Sequence, residues 1–393
     1  MNAIHRNESG FALATAILAL VVVGALVTAG FFAASQEGRV GTSNAQADLA
    51  FYVAEQGIQH TLGTVKKRDV RGLDPGATYQ QTGSATVGGR TVGNWRTSIR
   101  PFGGEFYYLE SVGTVTQGGR YAGATRRLGT VVRTMELNFP TAAAFTSGGD
   151  LTVAGQATVS GVDTHPSTSI WPSDECDPAA ATEAGIRMPP DATLTREGNS
   201  HTIEGDPPVE VDSTVAPETF HDFGDYDLDQ LKNMASHVIA GGEVFPQASY
   251  TADGACNRSD PNNWGLPSDG DPCSDYFPII YSEGSLGLNS NRSGQGILIV
   301  DGDLTMNGSF QFYGIVIVTG RFNRGEGGGG FRFHGTMLVG GGNIGDSTID
   351  GQPNIQFSTC TVTRALEEND AVARLFPVQE RSWFDLTAAG VDG

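Results

Sequence analysis

Phe11 to Ala34, FALATAILALVVVGALVTAGFFAA, is a run of 24 residues without a charged side chain. As a helix it spans about 36 Å at roughly 1.5 Å per residue, enough to cross a hydrocarbon core of about 30 Å with some tilt. The rest of the chain must be arranged around that segment. Before it stands a polar leader, residues 1–10, MNAIHRNESG. A secretory signal peptide has an apolar core of only about 7 to 15 residues, so this run is too long for one and predicts a single-pass anchor.

The helix is expected to continue past the membrane, over 11–68, with the transmembrane part at 11–34. Ser35 to Arg68 contains no proline, and Val40, Leu49, Phe51, Val53, Ile58, Leu62 and Val65 recur in a helical rhythm among Gln, Glu, Asp and Ala. Gly38 and Gly41 each cost about 1 kcal/mol against alanine, so flexible or melted helix is expected there. Residues 78–139 read as antiparallel strands. Alternation is visible in Ser84–Arg100, Glu105–Gln117 and Ala124–Phe139, with Gly88-Gly89, Gly103-Gly104 and Gly118-Gly119 supplying turns. Val112, Val115 and Val131 are expected to face the helix.

These parts resemble a type IV prepilin. A polar leader, Gly10, and an aromatic Phe11 opening an apolar helix look like the site where a prepilin peptidase cuts between Gly10 and Phe11. The fifth residue after that cut is Thr15, where most pilins carry glutamate, and this departure is similar to minor or accessory pilins. Ala50, Phe51, Ala54, Glu55, Gly57 and Ile58 resemble the signature that follows the membrane helix in PilX-type minor pilins, with Phe51, Glu55 and Gly57 as its centre. FYYLESVGTV and GATRRLGTVV look like the same group. The resemblance implies an inner-membrane, single-pass protein with an exported C-terminal domain, partnered by other pilins through the helix and by the prepilin peptidase. After assembly it implies a place in a pilus or at the cell surface, and N-methylation of the new terminus.

Beyond Pro140 the texture changes. Gly148–His165 has strand, glycine turn and strand, with a similar stretch at Gly294–Phe310. Phe310–Phe322, Phe331–Ile344 and Ile355–Val362 share an aromatic or aliphatic, polar, Phe pattern. Gly296, Gly314 and Gly335, opening successive strands, stand 18 and 21 residues apart. A period near 20 marks a solenoid, in which each coil buries its face only against the next. The fold class expected is therefore α+β: a long N-terminal pilin helix with a small antiparallel sheet, then a mainly β domain over 140–393, read as a β-solenoid (parallel β-helix). A β-sandwich with chance spacing is the competing reading. The solenoid also resembles the β-helical passenger regions of some large PilX-type pilins.

A stretch rich in Pro, Asp, Gly and Asn, 166–293, reads as an insertion holding Cys176, Cys256 and Cys273, with Cys360 on the last coil. An exported domain with four cysteines suggests two disulfides among three arrangements, and Cys256–Cys273 with Cys176–Cys360 is favoured. Zinc is the other reading, against which stands the lack of Cys-x-x-Cys or of histidines at ligand spacing. Asp222, Asp225, Asp227 and Asp229 precede Leu228, Leu231, Met234 and Val238, and read as the acidic start of a helix. Asp260, Asp269, Asp271 and Asp275 lie in a loop. Asp269 and Asp271 are the calcium candidates, although their spacing does not follow the EF-hand.

Charge divides the chain. Residues 1–139 carry 13 Lys+Arg and 9 Asp+Glu, and 140–393 carry 11 and 35, so that +4 and −24 give the overall −20. An acidic distal half argues against nucleic acid or anionic lipid as its partner. No nucleophile elbow, phosphate loop or His-Glu-x-x-His occurs, no carboxylate pair stands out, and no enzyme is expected, nor any cofactor besides the calcium alternative. Two classes of function follow. One is an accessory pilin taking part in assembly; the other is an adhesin or glycan-binding module on the same anchor, with Trp171, Trp264, Tyr276 and Phe277 meeting a surface ligand.

Overall fold

The structure is a computed structural model and describes residues 9–117, 122–135, 137–140, 142–167, 170–171, 182–289, 291–324, 330–340, 347–378 and 383–387. A long apolar helix is followed by mainly β structure. The chain forms two compact units: residues 1–64, 73–132 and 377–393 in the first, and 65–72 with 133–376 in the second.

The first unit is built on helix α1 (Ser9–Thr64), 56 residues long. It runs unbroken through Gly38 and Gly41, where flexible helix was expected, and ends at Thr64 rather than at residue 68. From Leu13 to Ala45 every residue is exposed around the whole circumference, with Leu20 73% and Phe31 80% exposed. Over Leu13–Ala34 the exposed helix is apolar on all sides, which suits a lipid environment, where the backbone is satisfied internally and side chains need no polar face. It is long and apolar enough to cross a membrane.

The other end of α1 packs on a sheet. Strands β1 (Tyr79–Val87), β2 (Arg90–Gly103), β3 (Phe106–Val115) and β4 (Thr125–Thr134) form an antiparallel meander, and the two-residue strand Phe384–Asp385 adds to β4. On β2, Gly93, Trp95, Thr97 and Ile99 are buried while Asn94, Arg96 and Arg100 are exposed, the alternation of a sheet with one covered face. Ala50, Val53, Ala54, Gly57, Ile58 and Thr61 are the buried residues of α1 here. The Thr61 and Thr97 hydroxyls meet at 2.8 Å and the rings of His60 and Trp95 at 5.0 Å. Val115 is buried as expected, but Val112 and Val131 are only half-buried. In β4 the fully buried valine is Val132, one position out of phase with the expectation.

The second unit holds a short helix, α2 (Lys67–Val70), and then parallel sheets. Strands β5 (Ala143–Ser147), β6 (Leu151–Val153), β7 (Thr158–Ser160), β8 (Ala184–Met188), β9 (Leu194–Arg196), β10 (Thr202–Glu204) and β11 (Val209–Val211) come first. Helix α3 (Leu228–Asn233) separates them from β12 (His237–Ile239), β13 (Gly242–Val244), β14 (Ile279–Ser282), β15 (Leu286–Asn289), β16 (Ser293–Val300), β17 (Leu304–Asn307), β18 (Gln311–Val318), β19 (Phe322–Arg324), β20 (Arg332–Val339), β21 (Ser347–Ile349), β22 (Asn354–Gln356) and helix α4 (Thr359–Glu367).

In the largest sheet β12, β14, β16, β18 and β20 lie side by side in chain order, all parallel. Next to β20 come β22 and β5, which return from opposite ends of the unit. β7 and β10 continue beyond β22, and β8 and β11 beyond β5. A second sheet repeats the order with β13, β15, β17 and β19, and a third joins β21, β6 and β9. The stretch 166–293, expected as an insertion, thus contributes β8–β11 and β12–β15 to these sheets.

Strands β16, β18 and β20 are buried on both faces, which is why they read as the continuous runs GILIV, GIVIV and GTMLV. One face, with Leu298, Val316, Met337, Val300, Val318 and Val339, packs with Leu288, Leu304, Met306 and Phe322 of the second sheet. The other face, with Ile297, Ile299, Ile315, Ile317 and Leu338, is covered by Cys360, Val362 and Ala365 of α4 and by Phe220, Phe223 and Leu231. Gly296, Gly314 and Gly335 are directly paired across neighbouring strands. Helix α3 begins at Asp227, whose carboxylate accepts the Gln230 N–H at 2.7 Å, the capping role expected of that cluster. Leu228 and Leu231 are buried, but Val238 lies in β12 and is 54% exposed rather than on the helix.

Candidate functional site

Residues 9–12 are helical in backbone, so Gly10 and Phe11 lie within α1, while residues 1–8 of the leader are outside the described residues. The three centres of the motif are placed differently. Phe51 is 38% exposed, Glu55 is half-buried, and Gly57 is buried against β2 and β3. A Cβ at Gly57 would come within 2.6 Å of Ser111 Oγ and 3.1 Å of Trp95 Cβ, so the bare backbone is what lets the helix sit this close. The neighbouring Tyr52 is 46% exposed. Phe51 and Tyr52 are therefore exposed rather than packed against the sheet.

Cys256 and Cys273 form a disulfide. Around it the buried Asn263 donates to the Asn257 carbonyl at 2.9 Å, Trp264 Nε1 donates to the Pro261 carbonyl at 3.1 Å, and the Tyr276 hydroxyl lies 2.8 Å from His237 Nε2. Burial lowers the His237 pKa and pushes that of Tyr276 up to about 12. Cys360 is also disulfide-bonded; Cys176 lies outside the described residues.

The calcium candidates do not converge. Asp271 accepts the Cys273 N–H at 2.8 Å with one oxygen and the Tyr250 hydroxyl at 2.8 Å with the other, while Asp269 is exposed. Among the described residues no group of three or more His, Cys, Asp or Glu side chains is placed to hold a metal ion. The aromatics expected to meet a ligand are core residues. Trp264 is fully buried, and Trp171, Tyr276 and Phe277 are between 2% and 5% exposed. Trp171 stacks edge-on against Tyr313 at 5.6 Å and carries the Arg364 guanidinium 4.9 Å from its centre. They bury large apolar area, and that outweighs surface display.

Among the described residues the most perturbed histidine is His334 on β20. Its ring lies flat on Tyr313 with centroids 4.9 Å apart, and Nδ1 has no hydrogen-bond partner among the described residues. Burial, helped by the nearby Arg332 charge, pushes its pKa down to about 4. The unfolded chain, with a histidine pKa of about 6.5, therefore takes the proton first. The stabilising difference is complete above about pH 6.5 and is lost as pH falls toward 4, by about 3 kcal/mol. Urea denaturation at pH 7 and pH 4.5 should show that loss in the wild type and a smaller one in His334→Gln. Equal pH slopes for the two proteins would exclude a buried neutral His334.

An anchor-length helix, its glycine-mediated seat on a sheet, and a disulfide-stapled β unit are the features from which function must be read. Compared with protein-family models, curated proteins and solved structures, the chain matches none.

Proposed function

We propose that this chain is an accessory type IV pilin-like subunit: a single-pass inner-membrane protein whose helix joins it to other pilins and whose C-terminal domain is exported. The observation that carries this reading is the division of α1 into two halves. The exposed apolar half, Leu13 to Ala34, suits lipid before assembly and helix–helix packing after it. The second half is seated by Ala50, Ala54 and Gly57 on an antiparallel sheet. The Cys256–Cys273 disulfide is in keeping with export to an oxidising compartment.

The distal unit is read as a β-solenoid. Its support is the repeated parallel pairing at an offset of 18 residues, as in Ile297 with Ile315 and Leu286 with Leu304, carried by two sheets in step. In this reading the helix serves pilus assembly, and the solenoid is the part presented outside.

The test is the N-terminal mass of the protein from membrane and sheared-filament fractions, with and without prepilin peptidase. The expected result is a chain beginning at Phe11, N-methylated and present in filaments. A chain beginning at Met1 and confined to the membrane in both strains would overturn the pilin assignment.

A further inference from the structure

The surface of the second unit carries a groove where three connections meet: the segment after β13, the turn from β15 to β16, and the start of β18. Two adjoining cavities of about 460 and 560 Å³ share Gln247, Asn291 and Arg292 as lining. At one end Phe245 is 58% exposed, and along the wall Tyr250 is 44% exposed. These are large apolar surfaces left in water beside a well-packed core. Tyr250 is held in place by its hydroxyl, which donates to Asp271 at 2.8 Å.

Between the aromatics stand four amides, of which Gln311, Asn291 and Asn289 are each anchored by one side-chain bond. Gln311 Oε1 accepts the Tyr313 hydroxyl at 3.0 Å, which leaves its NH₂ without a partner among the described residues. Asn291 Oδ1 accepts the Ser309 N–H at 3.2 Å, and Asn289 Nδ2 donates to Glu243 at 2.8 Å. Among the described residues the Gln247 side chain has no hydrogen-bond partner, and its backbone N–H is fixed to the Asn262 carbonyl at 2.8 Å. Planar donors and acceptors held on one side and open on the other are pre-organised, so a ligand meets them at little ordering cost.

We propose that this groove is a saccharide-binding site. Pyranose rings present apolar C–H faces and hydroxyl edges. An exposed Phe and Tyr separated by amide side chains offer a surface for the first and bonds for the second. In a half with a net charge of −24, the described residues of the lining include no carboxylate, and Arg292 is the charged one among them, which suits a neutral or acidic sugar over a cationic one. Hydrolysis is not part of the proposal, since glycoside cleavage requires a carboxyl pair across the bond. A peptide ligand is disfavoured at β18, which is paired along its whole length with β16 and β20 and leaves no free edge for strand addition. The site stands on the second unit alone and does not depend on the pilin assignment.

The experiment uses the full-length protein in detergent, titrated calorimetrically with maltohexaose, cellohexaose, chitohexaose and hexagalacturonate. Saturable binding to at least one is expected. Phe245→Ala and Tyr250→Ala should each weaken it about tenfold, and Gln311→Ala several-fold, with thermal midpoints close to wild type. Phe102→Ala, an exposed aromatic of the other unit, should leave it unchanged. Absence of saturable binding to all four sugars overturns the proposal. So does binding that all three groove variants retain, or that Phe102→Ala abolishes. Gln311→Ala leaves both exposed aromatics in place, so loss of affinity in that variant separates a bonded site from a merely sticky surface.

Discussion

Gly314→Ala should unfold the second unit or cost it about 4 kcal/mol or more, among the largest effects a single methyl group can have. Two terms add. Gly314 sits at φ +140°, a conformation that side-chain-bearing residues rarely adopt, at a cost of about 1–3 kcal/mol. A Cβ there would also lie well inside van der Waals contact of the Gly296 carbonyl oxygen, which belongs to the backbone of the next strand and cannot rotate away. The same relation recurs one strand on, where a Cβ at Gly335 would strike the Gly314 carbonyl. The three glycines are thus a ladder, each turning its strand at the same level so that the next can pair with it. Gly287→Ala is the matched control. Its nearest contact is an ordinary 3.8 Å, so it should change stability by less than about 1 kcal/mol. Thermal and urea unfolding of the two variants decide the matter, and a Gly314→Ala protein as stable as Gly287→Ala would refute the ladder.

Gly113→Val should lift the second half of α1 from its sheet. Gly113 on β3 faces the helix backbone: a Cβ there would be 2.5 Å from the Ala50 carbonyl oxygen and would overlap the Ala54 amide nitrogen. Neither partner is a flexible side chain, so a valine forces the two elements apart and opens the contacts of Val53, Trp95 and the Thr61–Thr97 pair. Overpacking of a well-fitted site costs about 1–3 kcal/mol, and with backbone on the far side the upper end is expected. Amide hydrogen exchange reads it directly. Protection over Ala50–Thr61 should collapse while that of β16 and β18 in the other unit stays as in wild type. Unchanged protection would mean that the helix is held elsewhere.

Much of this was readable along the chain. An uncharged apolar run of membrane length leaves a helix few alternatives, and α1 forms through two glycines that were expected to weaken it, since each costs only about 1 kcal/mol within a long cooperative helix. The Gly88-Gly89 and Gly103-Gly104 turns and the alternating residues after Ser84 are local signals of a meander, and a meander is what forms, while the expected turn at Gly118-Gly119 lies outside the described residues. The Asp227 cap and the Cys256–Cys273 link are likewise short-range, separated by three and 17 residues from their partners.

What only the tertiary structure decided is long-range and follows from burial. No local pattern states that β5 will lie beside β20, because parallel backbone pairing is indifferent to which strand supplies the partner. Nor does an aromatic declare which side of a loop it faces. Trp171, Trp264, Tyr276 and Phe277 went inside because the faces of the parallel sheets needed covering, while Phe245 and Tyr250, without any periodic signal, stayed in water and marked the groove. The phase of β4 turned on one residue, since a shift of one exchanges the two faces of a strand, and Val132 rather than Val131 found the buried side. Length, charge and glycine spacing determined the elements of this protein; the competition for buried surface decided how they were brought together, because it is summed over residues far apart in the chain.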